Sequence, residues 1–532
     1  MKRRLSLSFG AWLLLLSFGS RLDASGNDVG TPSDPVAALR QIIEEQNRRI
    51  EALSQKVLQL EQRVRESESH AQPTDEILPT IVIDTNGVPI APAPPPSVAG
   101  TPPPAAAPTP NDTPSIPAPA LLSVGPEGFE LQSGDTNFVL RLRGLLQVDS
   151  RTFLNDSPFA DGNNGFVLRR ARPILEGTVF RDFDFRMAPD FAPSTPQLFD
   201  AHLNYRLRPE VQLRAGKIKP PIGLEQLQSD AYGLFNERSL ATQLVPVRSV
   251  GAQLWGQIDA GSITYAVGGF GSNGDARNAP HLSISDDSEF AGRVFAEPWR
   301  KSGLPLLQGL GVGLGGSFSQ IRSNAAALPS TLGGDHPGYL TTGAQQFFAY
   351  NPAAGQVVAD GTHWRLAPQV SWRFGSFGLM GEYLVTEQGV LNATTLRSAQ
   401  LQHHAWQCSA QWVLTGEPAS FDVVQPRHSF NWSEHGWGAW QLVGRLGQMR
   451  LDPESFQGFS NPDTSAHTAT AWSVGINWWL NRNVRLLLSY SQTGFDGAGG
   501  TPNPSDPATF NPPATTTQQD ERVLMTRMQL AF

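Results

Sequence analysis

The chain contains a single cysteine, Cys408, among 532 residues. One cysteine cannot form an internal disulfide, so hydrogen bonding and packing must hold the folded chain together. After the N-terminus, no apolar run reaches the roughly 18 residues of a membrane-spanning helix, which argues against a helical membrane protein. The formal net charge of −8 disfavours a nucleic-acid partner.

Catalytic and metal-binding signatures are also missing. The sequence has no G-x-S-x-G elbow, no phosphate-cradling loop and no Cys/His cluster. The neighbours His403 and His404 would point to opposite faces of a strand and could not share a metal. We predict a non-enzymatic protein without catalytic residues, metal site or cofactor, and keep an embedded Ser–His hydrolase as the weaker alternative.

Residues 1–24 are typical of a signal peptide. Three basic residues at positions 2–4 precede an apolar segment, 5–18, and small residues follow up to Ala24. A membrane anchor is the alternative, but the apolar segment is too short to span a bilayer comfortably. The sequence therefore predicts an exported protein.

Two predicted elements separate this segment from the rest of the chain. Apolar residues in residues 36–69 repeat with spacings of four and three, which predicts a short coiled-coil helix or a single amphipathic helix against a neighbour. Residues 70–120 are rich in proline and alanine and cannot bury a core, so we predict a linker. Its Pro-rich part could reach roughly 100 Å as an extended chain.

From residue 121 to 532 the sequence changes to short alternating segments bounded by turn residues. Such segments match the strands of a transmembrane β-barrel. We predict sixteen strands, at 138–151, 166–180, 182–191, 198–207, 211–218, 250–258, 262–270, 290–298, 310–320, 363–374, 377–387, 403–414, 438–450, 470–480, 483–493 and 521–532.

The connections between these segments alternate in length. Those after even-numbered strands are mostly tight, and those after odd-numbered strands are mostly long, with exceptions at 299–309 and 415–437. Within the last strand, Met528, Leu530 and Phe532 share one face, while Arg527 and Gln529 share the other. Charge is costly on a lipid face, so basic residues should point into a wet lumen. The fold class is thus an all-β, 16-stranded antiparallel transmembrane barrel, preceded by a short periplasmic coiled coil and a Pro-rich linker.

Five groups of residues in the barrel region resemble the phosphate-selective porin O/P family. They are Leu168–Arg172, Gly216–Lys219 leading into Pro221–Glu225, Asn236–Ser239, Leu414–Pro418 and Asn477–Leu486. The resemblance extends from about residue 121 to 532. It implies a homotrimer of sixteen-stranded barrels in the outer membrane, each with its own pore, and a third external loop folded inward as a constriction.

The predicted constriction loop departs from this family at the positions that matter for phosphate. In family members selective for phosphate, lysines follow the Gly-Leu-Glu motif and help to bind the anion. Here Glu225 is followed by a stretch without lysine that contains Gln226, Gln228 and Asp230. Glutamine donates only neutral hydrogen bonds, and Asp230 would repel an anion if it faced the pore. This departure argues against strict phosphate selectivity.

Alternation places a set of basic residues on inward faces or at the root of this loop. A positive lumen would raise the local concentration of anions. In the alternative interpretation, pairs such as Arg172 with Glu176 only brace the barrel wall. The predicted anion-attracting residues are Arg141, Arg143, Arg170, Arg172, Lys217, Lys219, Arg293, Arg365, Arg373, Arg445, Arg485 and Arg527, against the inward acids Glu176, Glu297 and Glu382.

These observations predict an outer-membrane diffusion porin, surrounded by lipid, that passes small hydrophilic solutes and prefers small anions. A structural role is the alternative function. Both ends of an even-stranded barrel emerge on the periplasmic side, so the coiled coil could tether the barrel to peptidoglycan or to another periplasmic partner. No wall-binding motif is visible in the sequence.

Overall fold

A computed structural model describes residues 120–154, 164–279, 287–328, 338–350, 356–462, 464–497 and 520–532. The predicted signal peptide, the coiled-coil helix and all of the linker except its last residue lie outside the described residues. Within the described ranges, no helix combines the length and apolar character that crossing a lipid bilayer would require.

The described residues form a closed antiparallel barrel of sixteen strands. A hairpin of β1 (Leu121–Gly125) and β2 (Gly128–Gln132) precedes it. The barrel strands are β3 (Val139–Phe153), β4 (Gly165–Val179), β5 (Phe183–Asp190), β6 (Gln197–Arg208), β7 (Val211–Ile218), β8 (Ser249–Ile258), β9 (Ile263–Gly271), β10 (Ser288–Ala296), β11 (Leu310–Asn324), β14 (Val357–Phe374), β15 (Phe377–Asn392), β16 (Arg397–Val413), β17 (Ala439–Arg450), β18 (Thr468–Trp479), β19 (Val484–Asp496) and β20 (Glu521–Ala531). A small separate sheet pairs β12 (Gly338–Leu340) with β13 (Gln346–Ala349). Single helical turns lie at Leu224–Leu227, Leu240–Leu244, Pro305–Gln308, Ala325–Ala327 and Pro453–Phe456.

Every predicted strand is present, and the first and last barrel strands pair as expected. Gln529 of β20 lies opposite Gln147 of β3, which closes the barrel. In β20, Arg527 and Gln529 are buried inside, whereas Met528 on the other face is 63% exposed. This period-two pattern places apolar side chains toward lipid and polar side chains inward. The predicted sixteen-stranded barrel is confirmed.

The C-terminal residue Phe532 and the β1–β2 hairpin both pair with the same edge of β3. Phe532 exchanges two backbone hydrogen bonds of 3.0 Å with Gly144 of β3. A side chain at Gly144 would place its Cβ 2.8 Å from the Phe532 ring, so glycine lets the ring lie against the strand. Beyond this point β2 pairs with β3, with Phe129 opposite Leu142. The hairpin therefore extends the sheet where β20 ends, a feature that the sequence analysis did not predict.

Tight turns gather at one end of the barrel, apart from the longer connections 297–309 and 414–438, and most of the long loops lie at the other end. The β14–β15 turn has only two residues, 375–376, and the β4–β5 turn has three, 180–182. One connection on the long-loop side differs from the prediction, because β15 and β16 run on to a four-residue turn at 393–396. Their outer ends carry little alternation, as in Gln388 and Gly389, so the sequence pattern understated their length.

The interior of the barrel is less wet than the sequence predicted. Two segments fold inward: residues 219–248, here the constriction loop, and residues 338–350, here the outer hairpin. Leu240 and Leu244 of the loop and Phe347 and Phe348 of the hairpin join one buried apolar cluster with wall residues such as Leu384. A hydrophobic core therefore fills part of the lumen, which strand alternation alone could not reveal.

Candidate functional site: the pathway through the barrel

The constriction loop is fastened to one side of the barrel wall. Glu382 of β15 accepts hydrogen bonds from the backbone N–H groups of Leu224 (2.7 Å) and Glu225 (3.1 Å). A carboxylate at this place caps the first turn of the short helix. Farther along, Asn477 of β18 donates to the Leu234 carbonyl at 3.0 Å. The loop thus follows the wall and leaves open space on the side of β5–β10.

Asp230 is the centre of a buried ionic cluster at the middle of the loop. Its carboxylate contacts Arg238 at 2.5 Å, Arg172 more closely, Arg248 at 3.7 Å and Arg170 at 3.9 Å. Burial alone would raise the pKa of Asp230, but the surrounding arginines hold this pKa well below its usual value. From the sequence, Asp230 was expected to repel anions if it faced the pore. In the structure its charge is neutralised by the arginines around it.

Two further carboxylates of the loop form ion pairs with the wall. Glu237 pairs with Arg169 at 2.5 Å and with Arg151 at 2.9 Å. Burial opposes ionisation of Glu237, yet these arginines lower its pKa far below the ordinary value. Glu225 pairs with Arg445 at 3.3 Å and accepts a hydrogen bond from the Ser239 hydroxyl at 2.5 Å. The loop is therefore held by charge as well as by packing.

The outer hairpin crosses the lumen on the long-loop side of the constriction loop. Gly343 donates its N–H to Glu521 of β20 at 3.0 Å, and its carbonyl accepts from Arg151 of β3 at 3.2 Å. At its other end, the ring of Tyr339 meets His403 of β16 edge-on at 5.8 Å. The hairpin is thus bonded to widely separated strands.

Two adjacent cavities lie beside the constriction loop. The first, here the wall cavity, has a volume of about 460 Å³ and faces β5–β10; the second has a volume of about 370 Å³ and reaches Phe532. The wall cavity is bordered by one carboxylate, that of Asp200, and by the basic residues Arg186, Arg214, Lys219 and Arg293. Burial and the nearby Arg248 and Arg238 lower the pKa of Lys219 well below its usual value. The positive charge beside the cavity therefore comes mainly from the arginines that border it.

The predicted basic residues divide into two groups. Eight form ion pairs: Arg141, Arg143, Arg170, Arg172, Arg365, Arg373, Arg445 and Arg527. The other four, Lys217, Lys219, Arg293 and Arg485, have no ion pair with any described residue. Lys217 donates to the Ala279 carbonyl and does not border the wall cavity, while Arg485 binds loop carbonyls and stacks on Trp479.

One predicted pairing is wrong. Arg172 does not pair with Glu176; it pairs with Asp190 at 2.6 Å and with Asp230. Glu176 instead pairs with Arg143 at 3.2 Å and with Arg186. Glu176 lies on the same strand as Arg172, whereas the carboxylates that Arg172 contacts belong to the adjacent strand and to the loop. The lumen also holds more acids than predicted, so most of the apparent excess of arginine is neutralised.

Four basic residues at the wall cavity or around Asp230 were missed, in addition to Arg151 and Arg169, which pair with Glu237. Arg186 lies between outward-facing Phe185 and Met187, and Arg214 lies between Leu213 and Ala215, so the alternation used elsewhere could have found both. Arg238 and Arg248, which contact Asp230, belong to the loop, where no periodic pattern indicates direction.

The family model of phosphate-selective porin O and P matches residues 140–532, well over half of the chain. The chain belongs to this family. It is an outer-membrane diffusion porin, a channel rather than an enzyme.

Solved structures with a similar architecture share little sequence with this porin. The outer membrane channel DcaP of Acinetobacter baumannii is 10% identical, with 75% of this chain and 99% of that chain covered and a TM-score of 0.47. OmpT of Vibrio cholerae is 12% identical, with 74% and 98% covered and a TM-score of 0.44. An anion-selective porin from Comamonas acidovorans is 11% identical, with 74% and 100% covered and a TM-score of 0.42. No curated protein sequence matches the chain.

Proposed function

We propose that this porin passes small hydrophilic solutes by diffusion and admits anions more readily than cations. The observation that carries the proposal is the charge around the wall cavity, where Arg214 and Arg293 border the space without an ion pair among the described residues and the single carboxylate, Asp200, pairs with Arg248 at 2.9 Å. A low-dielectric wall focuses this potential into the lumen and raises the local anion concentration. The chain as a whole is acidic, with a net charge of −8, so the positive region is local.

Removing the two wall arginines should weaken the anion preference. We expect Arg214→Gln and Arg293→Gln each to lower the ratio of chloride to potassium permeability by about twofold, because each removes one charge from the pathway. The measurement is the reversal potential of the purified porin in a planar bilayer under a KCl gradient.

Arg397→Gln provides the matched control. Arg397 starts β16 on the long-loop side, does not border the wall cavity, and pairs with Glu454 at a distance of 3.4 Å. Its reversal potential should equal that of the wild type. A wild-type reversal potential that indicates cation preference would refute the anion proposal, and a reconstituted protein without conductance would refute the pore.

We further propose a homotrimer in outer-membrane lipid and no strict selectivity for phosphate. Family membership supports the assembly. The absence of lysine between Gln226 and Asp230 and the ion-paired state of Asp230 argue against a dedicated phosphate site on this part of the loop. Phosphate and chloride currents of similar size would agree with this view.

A periplasmic tether is a second candidate, supported by the position of the β1–β2 hairpin. Glu127 in its turn pairs with Arg143 at 2.9 Å and with Arg482 in the tight β18–β19 turn. The described chain therefore begins on the short-turn side, which is periplasmic in such barrels. The predicted coiled coil and linker would then have access to peptidoglycan or to another periplasmic partner.

Deleting residues 30–120 should leave single-channel conductance unchanged, because the hairpin and barrel remain. If the tether is real, cells carrying this deletion should show a loosened envelope, measured as increased vesicle release and detergent sensitivity. A change in trimer stability alone would instead assign the coiled coil to oligomerisation.

A further inference from the structure

Two arginines on the wall opposite the constriction loop are held without a carboxylate partner. Arg214 of β7 stacks on the indole of Trp255, with 4.4 Å from the guanidinium carbon to the ring centroid. Arg293 of β10 donates its Nε–H to the side-chain oxygen of Gln369 at 2.8 Å. Neither forms an ion pair with a described residue. Since guanidinium groups stay protonated in proteins, both keep a full charge beside the wall cavity.

Neutral hydrogen bonds fix the supports of these arginines. The indole N–H of Trp255 donates to the Asn204 side chain at 2.8 Å, and Asn204 donates to Gln212 at 3.1 Å. The amide of Gln369 donates to the carbonyl of Ile222 in the constriction loop. Because neutral groups hold the two guanidinium groups, their positive charge remains available to a ligand. A side chain that is already held in place loses little conformational entropy when a ligand binds to it.

The same cavity also carries hydrogen-bond acceptors. Gln253, His202 and Asp200 all border it. The side-chain oxygen of Gln253 and the Nδ1 atom of His202 are buried without a hydrogen-bond partner among the described residues. Unsatisfied buried polar atoms are unfavourable, so both side chains would gain a hydrogen bond if they turned toward a donor in the cavity. The hydroxyl groups of a ligand would supply such hydrogen-bond donors.

The size of the cavity excludes the simplest ligands. At about 460 Å³ it lies within the range of pockets that hold small organic molecules. Chloride or inorganic phosphate would fill only a small part of this space and could not contact the arginines and the acceptors together.

We propose that the wall cavity is a binding site for hydroxycarboxylates of sugar-acid size. The carboxylate would bind Arg214, with Arg293 as a second positive charge bordering the cavity, and the hydroxyl groups would bind Gln253, which lies opposite Arg214, and Asp200. Charge-assisted bonds hold the anion, and the acceptors select solutes that carry hydroxyl groups. The inference rests on the proposed anion-preferring pore and names the class of solute that this pore favours.

Gluconate is the test solute, added to the full-length porin in a planar bilayer while the chloride current is recorded. We expect gluconate to reduce this current along a saturating curve. Hexanoate carries the carboxylate without the hydroxyls, and glucose carries hydroxyls without the carboxylate. Each should need an about tenfold higher concentration for the same reduction, since each lacks one half of the recognition. An equal effect of hexanoate or glucose, or a gluconate effect that never saturates, would overturn the proposal.

Variants separate this site from the pore itself. Gln253→Leu and Arg214→Gln should each raise the half-blocking gluconate concentration by about fivefold or more. Gln448→Leu, on the outward face of β17, should leave it unchanged. If Gln253→Leu does not assemble, Arg214→Gln alone decides. Wild-type chloride selectivity without any variant effect on gluconate block would overturn the site and leave the proposed function standing. Cation selectivity in the wild type would overturn both.

Discussion

Deletion of residues 338–350 should raise the single-channel conductance several-fold. The outer hairpin crosses the lumen, with Thr341 and Gly343 bonded to Glu521 of β20 and Tyr339 packed against His403 of β16. Removing it widens the path to the constriction loop, and conductance rises with the cross-section of the narrowest segments. Current steps of the purified deletion variant in a planar bilayer, at one salt concentration, provide the measurement.

A point variant tests the same idea with the loop length preserved. Phe348 is fully buried, so Phe348→Asp would place an unpaired charge in the apolar cluster and expel the hairpin from the lumen. Leu396→Asp adds the same charge at an exposed turn on the same side and should leave conductance unchanged. Wild-type conductance in assembled protein carrying either the deletion or Phe348→Asp would show that the hairpin lies outside the conducting path.

Asp230→Asn should be the most destabilising single substitution of the constriction loop. It removes the carboxylate shared by Arg170, Arg172, Arg238 and Arg248, and leaves buried positive charges facing one another. Breaking a buried ion pair from one side costs about 3–5 kcal/mol of unfolding free energy. Denaturant unfolding of the detergent-solubilised porin would measure the loss. Since the loop is freed, the open-channel current should also show more frequent closures.

The pH dependence of this effect follows from the lowered pKa of Asp230. A carboxylate with a lowered folded-state pKa contributes stability above its unfolded pKa and loses it as the pH falls through the folded value. The difference between wild type and Asp230→Asn should therefore persist from neutral pH down to about pH 4. Asp182→Asn, at an exposed tight turn, is the matched control and should not change stability. An equal effect of both substitutions would contradict the role of the cluster.

Strand positions and strand directions follow from the sequence because their cause is local. A residue on a barrel strand meets either lipid or the lumen, and neighbours alternate between the two, so Met528 and Arg527 reveal their faces without any knowledge of the rest of the fold. Loop lengths can also be read directly from the sequence, and they indicate which end of the barrel carries the short turns and which carries the long loops. The same rule applied to β5 and β7 would also have included Arg186 and Arg214.

The contacts that shape the pathway have no local cause. Arg527 pairs with Asp149, which lies at the opposite end of the barrel chain, and Arg172 finds its carboxylates on β5 and on the constriction loop. Asp230 looked like an anion-repelling residue in sequence and became the anchor of four arginines. Such pairings depend on which strands become neighbours and on how a loop without periodicity folds back.

Strand alternation and loop lengths are enough to predict that this chain is a sixteen-stranded outer-membrane barrel with polar side chains inside. Strands that face lipid must pair all their backbone groups, and an antiparallel sheet does so only by closing into a barrel. Three features depend on contacts between distant parts of the chain. These are the neutralisation of most arginines, the outer hairpin that fills part of the lumen, and the unpaired charges of Arg214 and Arg293 beside an open cavity. Charge at a site depends on every group within a few ångströms, and closure of the barrel sets those distances.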